Sequence, residues 1–323
     1  MRPDLRYVVY GAGAVGGVVG AHLHRAGADV TLVARGAHLA ALRDHGLRLD
    51  SPEGSELLAI PSVGGAVEVA WTDGTVVLLT VKSQQTAAAL DDLAAHAPPS
   101  TPVVSVQNGV ANEDAVLRRF QHTYSVCVML PSAHLEPGVV AQKCSPIPGI
   151  LDIGRIPRRT DDLDDAIAED LRRAGFASQP RPDIMAWKYR KLVLNLGNGV
   201  DAVCAPGPDT DELVRRARDE GDLVLRLAGI VAVSPEEDAA RRGDLLRSPD
   251  GGWRAGGSTW QSVQRRAGSV EIDYLAGEVV LLGRRHGVPT PVNELVQHVV
   301  SGLARSGGAA RSLDAAELLA RLP

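Results

Sequence analysis

Residues 7–16 read Tyr7-Val8-Val9-Tyr10-Gly11-Ala12-Gly13-Ala14-Val15-Gly16. A short apolar run of β type ends in a Gly-x-Gly-x-x-Gly turn, and a helical pattern follows over residues 14–26. In this setting the first glycine permits a tight turn, the second lets a pyrophosphate approach the backbone, and the third allows close helix–strand packing. The stretch therefore predicts a dinucleotide-binding turn, whose cofactor-binding residues are Gly11, Gly13, Ala14, Val15 and Gly16.

Three further apolar runs resemble the first. They cover residues 29–34, 75–81 and 102–106, with a helical stretch at 85–96 before the last of them. Continuous runs of β-branched residues are typical of parallel strands that are buried on both faces. The sequence therefore predicts an α/β fold with an N-terminal Rossmann domain built on a doubly wound sheet.

The pattern changes after residue 123. Shorter strands are expected at 124–130, 138–142 and 150–153, followed by a helix at 163–174. The prolines at 180 and 182 then restrict the backbone and mark a domain boundary. Beyond them nearly every segment has a helical pattern: 184–195, 209–231, 235–245, 261–286, 292–303 and a short helix within 312–322. We predict a dinucleotide-binding Rossmann domain of residues 1–182 and an all-helical second domain of residues 183–323.

The composition excludes several classes of protein. The 323 residues are 45% hydrophobic and 23% charged, with a net charge of −5, which argues against a nucleic-acid surface. No apolar run reaches the roughly 18–20 residues of a membrane span, and the first residues lack the pattern of a signal peptide. Three widely spaced cysteines without a CxxC pair, and nine scattered histidines, indicate a cytoplasmic protein without disulfides or a metal site.

The end of the second strand discriminates between cofactors. An NAD enzyme typically carries Asp or Glu there to bind the ribose hydroxyls. This chain has Val33-Ala34-Arg35, and an arginine can make paired, charged hydrogen bonds to a 2′-phosphate. Arg35 therefore favours NADPH over NADH.

Two more polar residues follow predicted strands. Lys82 closes the run 75–81, and Asn108 comes just after the run 102–106, within Gln107-Asn108-Gly109. Open α/β sheets bind ligands at the carboxyl ends of their strands. We expect Lys82 near the cofactor phosphate or ribose, and Asn108 near the ribose, the nicotinamide amide or the substrate.

Lysine is rare in this chain, because 30 of its 34 basic residues are arginine. Where arginine fills generic cationic positions, a remaining lysine is a candidate for chemistry that needs a removable proton. Lys188, Lys191, Asn195 and Asn198 recur at the 3,4,3 spacing of one helix face. This polar stripe crosses a segment that is otherwise apolar, which favours a binding or catalytic face over a solvated one.

An acidic element lies further along the chain, in Glu271-Ile272-Asp273-Tyr274. A helical Glu271 is a suitable counter-ion for Lys191. The hydroxyl residues Ser258 and Thr259 lie upstream of it.

At these positions the chain resembles the ketopantoate reductase (2-dehydropantoate 2-reductase) family over nearly its full length. The ordered set is more specific than any one of its members. It comprises Gly11-x-Gly13-x-x-Gly16, Arg35, Val81-Lys82, Gln107-Asn108-Gly109, Lys191-Leu192-x-x-Asn195, Glu271-Ile272-Asp273-Tyr274 and Pro289-Thr290-Pro291-x-Asn293.

The resemblance implies an N-terminal Rossmann domain and a C-terminal all-helical domain with the active site in the cleft between them. It also implies reduction of the 2-oxo acid ketopantoate to pantoate with NADPH, on the route to pantothenate and coenzyme A. Arg35 and Lys82 match the family's basic pair near the 2′-phosphate. The expected protein is a monomer or homodimer that needs no nucleic acid or membrane.

The remaining matches concern catalysis. Lys191 matches the family's catalytic lysine and is expected to be the general acid. Glu271 matches its acidic substrate-binding residue, and Asn195 and Asn108 match two asparagines of the cleft. The expected catalytic residues are therefore Lys191 and Glu271, and the expected substrate-binding residues are Asn108, Lys191, Asn195, Asn198, Ser258, Thr259 and Glu271.

Two positions depart from the family's pattern. A substrate-contacting serine of the family falls at Thr259, beside Ser258, and the second asparagine of the lysine helix falls at Gly199, one place after Asn198. A related NADPH-dependent reductase of another 2-oxo acid or of an imine is therefore the alternative. A second alternative is an NADPH sensor without turnover, which the presence of both Lys191 and Glu271 disfavours.

Overall fold

The computed structural model of the chain describes residues 5–157, 159–247, 256–265 and 270–323. The described residues divide into two compact units. The first draws on residues 1–108, 112–185 and 239–251, and the second on residues 109–111, 186–238 and 252–323. Residues 239–251 thus lie in the first unit, although they follow the boundary expected from the sequence.

The described residues form thirteen strands and thirteen α-helices. The strands are β1 (Arg6–Tyr10), β2 (Asp29–Val33), β3 (Leu47–Ser51), β4 (Gly54–Leu58), β5 (Ser62–Val63), β6 (Thr75–Leu79), β7 (Val103–Ser105), β8 (Thr123–Met129), β9 (Ser132–Glu136), β10 (Val139–Gln142), β11 (Ser145–Pro146), β12 (Ile150–Ile156) and β13 (Leu246–Arg247). The helices are α1 (Ala14–Arg25), α2 (Gly36–His45), α3 (Thr86–His96), α4 (Asn112–Leu117), α5 (Asp162–Arg173), α6 (Ile184–Asn195), α7 (Gly197–Val203), α8 (Pro208–Leu227), α9 (Pro235–Arg242), α10 (Ser258–Gln264), α11 (Ala276–His286), α12 (Pro291–Ser306) and α13 (Ala315–Ala320). Short 3₁₀ turns occupy Ala66–Glu68, Ser83–Gln85 and Glu271–Tyr274.

The first unit is built on a seven-stranded sheet in the order β12-β8-β7-β6-β1-β2-β5. Every pairing in it is parallel except that of β12 with β8. The chain leaves the central strand β1 first toward β2 and later toward β6, which is the doubly wound arrangement. The predicted fold class is confirmed.

The alternation of side chains along β1 explains its unbroken apolar run. Tyr7 and Val9 belong to the core on one face of the sheet, whereas Val8 and Tyr10 belong to the core on the other. Successive side chains of a strand point to opposite faces. A strand that is covered on both faces is therefore apolar at successive positions rather than at alternate ones. The same reasoning applies to β6, all five residues of which are buried.

A second sheet in this unit has the order β4-β3-β10-β9. The sequence pattern predicts β10 but neither β3, β4 nor the preceding helix α2. Leu47 and Leu49 of β3 are buried, while four of the five residues of β4 are exposed. A hairpin with only one buried strand leaves a weak hydrophobic signal, so its local sequence does not reveal it.

The second unit is helical and contains α7, α8, α10–α13 and most of α6. The predicted all-helical character of this part of the chain is confirmed, but the continuous helix expected over residues 261–286 is wrong. α10 ends at Gln264, Val270 is extended (φ −132°, ψ 159°), and Glu271 lies in a 3₁₀ turn. Leu275 (φ −119°, ψ −92°) is also non-helical and separates this turn from α11. Apolar residues recur across this break, so their periodicity does not reveal it.

The three cysteines are buried, and none of them forms a disulfide within the chain. None of the helices in the described part of the chain combines the length and apolar character that crossing a bilayer requires.

A buried carboxylate joins α9 to the sheet of the first unit. Asp152 on β12 is 2% exposed and accepts hydrogen bonds from Arg241 of α9 at 2.9 and 2.7 Å. Arg181 donates to the same side chain at 3.1 Å, as does the backbone N–H of Gln179. These bonds account for the place of residues 239–251 in the first unit.

Asp152→Ala should lower the free energy of unfolding by about 3 kcal/mol, because Arg181 and Arg241 lose the buried carboxylate that pairs with their charges. Asp244→Ala is the control, since it removes an exposed partner of Arg247 and should cost less than about 1 kcal/mol. Urea unfolding of both variants measures the difference. Equal effects would show that Asp152 does not anchor α9.

Candidate active site

The glycine turn is shaped by its contact with the end of β6. Gly11 has φ +115°, and a Cβ there would lie 2.8 Å from Cγ1 and 2.9 Å from the backbone nitrogen of Val81. A Cβ on Gly16 would overlap the carbonyl oxygen of Gly11 and Oγ1 of Thr80. The protein itself therefore requires glycine at both positions.

Gly13 is different, because a Cβ at this position would meet nothing within 4 Å. Protein packing gives no reason for glycine there, whereas a ligand that approaches the backbone does. The first N–H groups of α1 have no partner within the helix, and its first turn contains no acidic residue. Open space beside a helix N-terminus without nearby acidic residues fits the pyrophosphate of a dinucleotide.

Two side chains hold this turn in place. Oγ1 of Thr80 donates to the carbonyl oxygen of Gly11 at 2.8 Å. His38 of α2 accepts a hydrogen bond from the N–H of Gly138 on Nδ1 (2.8 Å), so its Nε2 carries the proton and donates to the carbonyl oxygen of Ala12 (2.7 Å). Burial lowers the pKa of His38 below its ordinary value, against the opposing effect of the bond to Ala12. His38 is therefore neutral at pH 7.

Arg35 lies where the sequence predicts it, two residues beyond β2 and directly before α2. The N–H groups of Gly11 and Ala12 both donate to the carbonyl oxygen of Val33, so the end of β2 adjoins the glycine turn. The Arg35 side chain is exposed, and its Nη2 donates to the hydroxyl of Tyr10 at 3.2 Å. An exposed guanidinium beside the turn fits a 2′-phosphate.

Lys82 and Asn108 lie on loops after the neighbouring strands β6 and β7, and Lys82 immediately precedes a 3₁₀ turn. The buried side chain of Gln107 links these two loops. Its Nε2 donates to the carbonyl oxygen of Val81 at 2.7 Å and to the hydroxyl of Thr86 at 2.9 Å. Gln107, which precedes Asn108, thus holds the backbone at Val81, the residue before Lys82.

Asn112 completes the network. The hydroxyl of Thr86 donates to its Oδ1 at 2.9 Å, and its Nδ2 donates to Ser83 Oγ at 3.1 Å and to the carbonyl oxygen of Asn108 at 3.3 Å. Asn112 is fully buried, so each of these bonds forms away from water. The hydrogen bonds of Gln107 and Asn112 therefore connect the two loops that carry Lys82 and Asn108.

In the second unit, the predicted polar stripe lies on α6 and α7. Lys188 is 3% exposed, Lys191 is half-buried, and Asn195 is buried at the end of α6. After a one-residue break, Asn198 on α7 donates from Nδ2 to Oδ1 of Asn195 at 3.4 Å. The structure thus brings the two asparagines together.

Gly199 explains the departure from the family's pattern. A Cβ at this position would lie 2.7 Å from Cγ1 of Val296 and 2.9 Å from Cδ1 of Ile272. Position 199 therefore faces an apolar core that has no room for an asparagine. The polar face passes through Asn198 instead.

The remaining site candidates lie close to α7. A Cβ on Gly257 would lie 2.9 Å from Oδ1 of Asn198, so the beginning of α10 is next to Asn198. At that beginning Ser258 is exposed and Thr259 is buried. A Cβ on Gly199 would also lie 2.9 Å from Cδ1 of Ile272, so the 3₁₀ turn that contains Glu271 is next to α7 as well.

The sequence reasoning missed several residues that shape these sites. His38, Thr80, Gln107 and Asn112 hold the backbone around the predicted cofactor residues, and Tyr10 contacts Arg35. Two of them had a usable signal: Gln107 lies in the Gln107-Asn108-Gly109 motif, and Asn112 follows Asn108 at the i, i+4 spacing at the start of a helical segment. The partners of the others are distant in sequence.

Comparison with known proteins identifies the family. Residues 7–158 match the family model described as "Ketopantoate reductase PanE/ApbA". Residues 183–304 match the model described as "Ketopantoate reductase PanE/ApbA C terminal". The chain belongs to the ketopantoate reductase family.

Relatives match along almost the whole chain. A 2-dehydropantoate 2-reductase from Pyrococcus horikoshii is 26% identical over 318 residues, covering 95% of this chain and 100% of the relative. A crystal structure of a PanE/ApbA family ketopantoate reductase from Ralstonia eutropha JMP134 has a TM-score of 0.78 at 26% identity, covering 94% and 99% of the two chains. A ternary complex of D-mandelate dehydrogenase with NADH and anilino(oxo)acetate has a TM-score of 0.82 at 23% identity, with the same coverage, which shows a shared fold.

The bonds of His38 predict a pH-dependent stability. Its pKa is lower in the folded chain than the ordinary 6.5, so its contribution to stability is complete above about pH 6.5 and is lost as the pH falls through the folded value. His38→Gln should flatten the fall in the free energy of unfolding between pH 7.5 and 5, by at most about 1.4 kcal/mol per pH unit.

Urea unfolding at several pH values measures this slope. His45→Gln, at the exposed end of the same helix, is the control for loss of an imidazole. A slope in His38→Gln as steep as in the wild type would contradict the assigned role.

Proposed function

We propose that the protein is an NADPH-dependent reductase that converts 2-dehydropantoate (ketopantoate) to pantoate in the cytoplasm, for pantothenate and coenzyme A biosynthesis. The observation that carries this proposal is the match of both family models, one after the other, along both parts of the chain. Relatives that match nearly end to end bear the name of this activity. The three buried cysteines without a disulfide are compatible with the cytoplasm.

The choice of NADPH is supported by Arg35. A carboxylate at the end of β2 would bind the ribose hydroxyls of NADH and repel a 2′-phosphate. Here the end of β2 leads to an exposed arginine instead, and the open space at Gly13 accepts the pyrophosphate. Lys82, on the loop after β6, adds a second positive charge at the carboxyl edge of the sheet.

The reaction needs a hydride and a proton. When bound, NADPH supplies the hydride to the carbonyl carbon of the 2-oxo acid. Lys191 stabilises the negative charge that develops on the carbonyl oxygen and transfers its Nζ proton to that oxygen. The product is the 2-hydroxy acid, and Lys191 regains a proton from water.

The second unit also supplies polar groups for the rest of the substrate. Asn195 and Asn198 form one polar face with the start of α10, where Ser258 is exposed and Thr259 is buried. We assign this face to the substrate carboxylate and carbonyl. Asn108, in the first unit, remains a predicted substrate-binding residue. Glu271 accepts a hydrogen bond from the 4-hydroxyl of ketopantoate. A carboxylate is a stronger acceptor than the neutral amide and hydroxyl groups of this face.

Lys191, and not Lys188, should be the proton donor. Lys191→Met should reduce kcat by about 10²- to 10⁴-fold, which is the usual effect of losing a general acid, while the affinity for NADPH changes little. Lys188→Met is the matched control, because it removes an ammonium one turn away on the same helix while keeping a side chain of similar length. Steady-state kinetics and fluorescence titration of NADPH separate the two effects.

A large loss of kcat in Lys188→Met with a small one in Lys191→Met would show that the roles are reversed. Equally large losses of kcat in both variants, with unchanged NADPH binding, would show that both lysines take part in proton transfer. This result would contradict the proposal that Lys191 alone is the donor.

Glu271 should read the 4-hydroxyl of the substrate. Glu271→Gln should lower kcat/KM for ketopantoate by about 10- to 150-fold, the effect of losing a hydrogen bond to a charged group. It should change kcat/KM much less for 3,3-dimethyl-2-oxobutanoate, which has the same skeleton without that hydroxyl. Asp273→Asn is the control, since this nearby carboxylate is exposed and accepts from Gln297 at 2.7 Å.

The comparison also tests the substrate. If the wild-type protein reduces both compounds equally well and Glu271→Gln harms both equally, ketopantoate is not the substrate, and a reductase of another 2-oxo acid or an imine is favoured. Tight NADPH binding without turnover of any oxo acid would favour a sensor.

A further inference from the structure

When Arg35 binds a phosphate, its side chain must be held in one conformation, and this ordering has an entropic cost. Its side chain is long and exposed, and holding such a side chain in one position costs about 2 kcal/mol of rotamer entropy. An arginine that is already held by the protein pays less of this cost when the ligand arrives. The only hydrogen bond that the described residues give its side chain is the one from Nη2 to the hydroxyl of Tyr10, at 3.2 Å.

Tyr10 is itself firmly fixed. It is the last residue of β1, is 2% exposed, and its ring packs in the core with Val33 and Leu79. Its backbone carbonyl accepts a hydrogen bond from the backbone N–H of Thr80 at 3.0 Å. The phenol oxygen therefore occupies one position at the edge of the sheet, next to the end of β2.

Asp92 of α3 orients the hydroxyl of Tyr10. Oδ2 of Asp92 accepts from the Tyr10 hydroxyl at 2.5 Å and from the backbone N–H of Ala66 at 2.8 Å. A phenol has one proton, and here it points to Asp92, so an oxygen lone pair is left for Arg35. In this series of two hydrogen bonds, Arg35 donates to Tyr10 and Tyr10 donates to Asp92, so each donor has an acceptor.

The protonation states keep this direction fixed. Burial and the hydrogen bond to Asp92 raise the pKa of Tyr10 to about 12. Burial pushes the pKa of Asp92 upward, but the hydrogen bonds from Ala66 and Tyr10 and the charges of His96 and Arg35 bring it below its ordinary value. Tyr10 is thus a phenol and Asp92 a carboxylate over the range from pH 5 to 9.

We propose that Tyr10, oriented by Asp92, is a positioning residue that holds Arg35 ready for the 2′-phosphate and so contributes to the selection of NADPH over NADH. The proposal rests on the proposed use of NADPH. One hydrogen bond from Arg35 goes to Tyr10, and a guanidinium has five N–H donors, so four are left for the phosphate oxygens.

The same strand offers a matched control. Tyr7 of β1 is 1% exposed, and its hydroxyl donates to Oδ2 of Asp170 at 2.7 Å. It packs in the core on the opposite face of the sheet from Tyr10. Tyr7→Phe and Tyr10→Phe thus remove the same atom from the same kind of buried Tyr–Asp pair, and only one of them touches Arg35.

Calorimetric titration with 2′,5′-ADP and 5′-AMP tests the proposal without turnover. Tyr10→Phe should weaken 2′,5′-ADP by about 2- to 12-fold, the effect of one lost hydrogen bond, and should change 5′-AMP by less than that. Tyr7→Phe should leave both affinities as in the wild type. In steady-state assays Tyr10→Phe should raise KM for NADPH with kcat unchanged, and leave KM for NADH unchanged.

Arg35→Ala separates failure of this proposal from failure of the proposed cofactor. If the wild type does not prefer 2′,5′-ADP, or Arg35→Ala keeps that preference, the assignment of NADPH to Arg35 is wrong. If Arg35→Ala loses the preference and Tyr10→Phe keeps it, Tyr10 does not position Arg35. Equal losses for 2′,5′-ADP and 5′-AMP in Tyr10→Phe would indicate a purely structural role, and thermal melts of all three variants show whether the fold is retained.

Discussion

The close approach of the glycine turn to the end of β6 is the constraint on which the predicted cofactor site depends. Gly11 and Gly16 lie against Val81 and Thr80 so tightly that neither tolerates a Cβ. This contact brings the start of α1 to the edge of the sheet, where its unpaired N–H groups can face a phosphate. Gly13, which none of the described residues crowds, is open to the proposed ligand.

The register of the central strands extends this arrangement to the other predicted cofactor-binding residues. Tyr10 pairs with Val33 on one side and with Leu79 on the other, so three strands end at the same level. Gly11, Arg35 and Lys82 follow these ends within one to three residues. Parallel strands in register thus convert separate short motifs of the sequence into one edge of polar groups.

Much of this was predictable from local sequence. Unbroken apolar runs identified β1, β2, β6 and β7, and the candidate binding residues were found within two residues of the end of each run. The break at Leu275 and the exposed strand β4 were not predictable, because one lies inside a continuing apolar pattern and the other has almost no apolar pattern. The hydrogen bond of Tyr10 to Asp92 joins residues 82 apart, which no local pattern encodes.

The polar face of the second unit shows how a departure from a family pattern can be read. The position expected to carry an asparagine is Gly199, where Val296 and Ile272 leave no room for a side chain. Asn198 instead lies beside Asn195 and the start of α10. An alignment by position alone would discard this asparagine, whereas packing shows on which face of α7 it lies.

The central claim is that this chain reduces ketopantoate with NADPH. The most direct measurement is the oxidation of NADPH and of NADH by the wild-type protein, followed by absorbance with ketopantoate and with phenylglyoxylate, the 2-oxo acid that corresponds to mandelate. We predict that kcat/KM is highest for ketopantoate with NADPH and at least about tenfold lower when NADH replaces NADPH, as expected for losing a charged hydrogen bond. Faster turnover with NADH, or with phenylglyoxylate, would contradict the account.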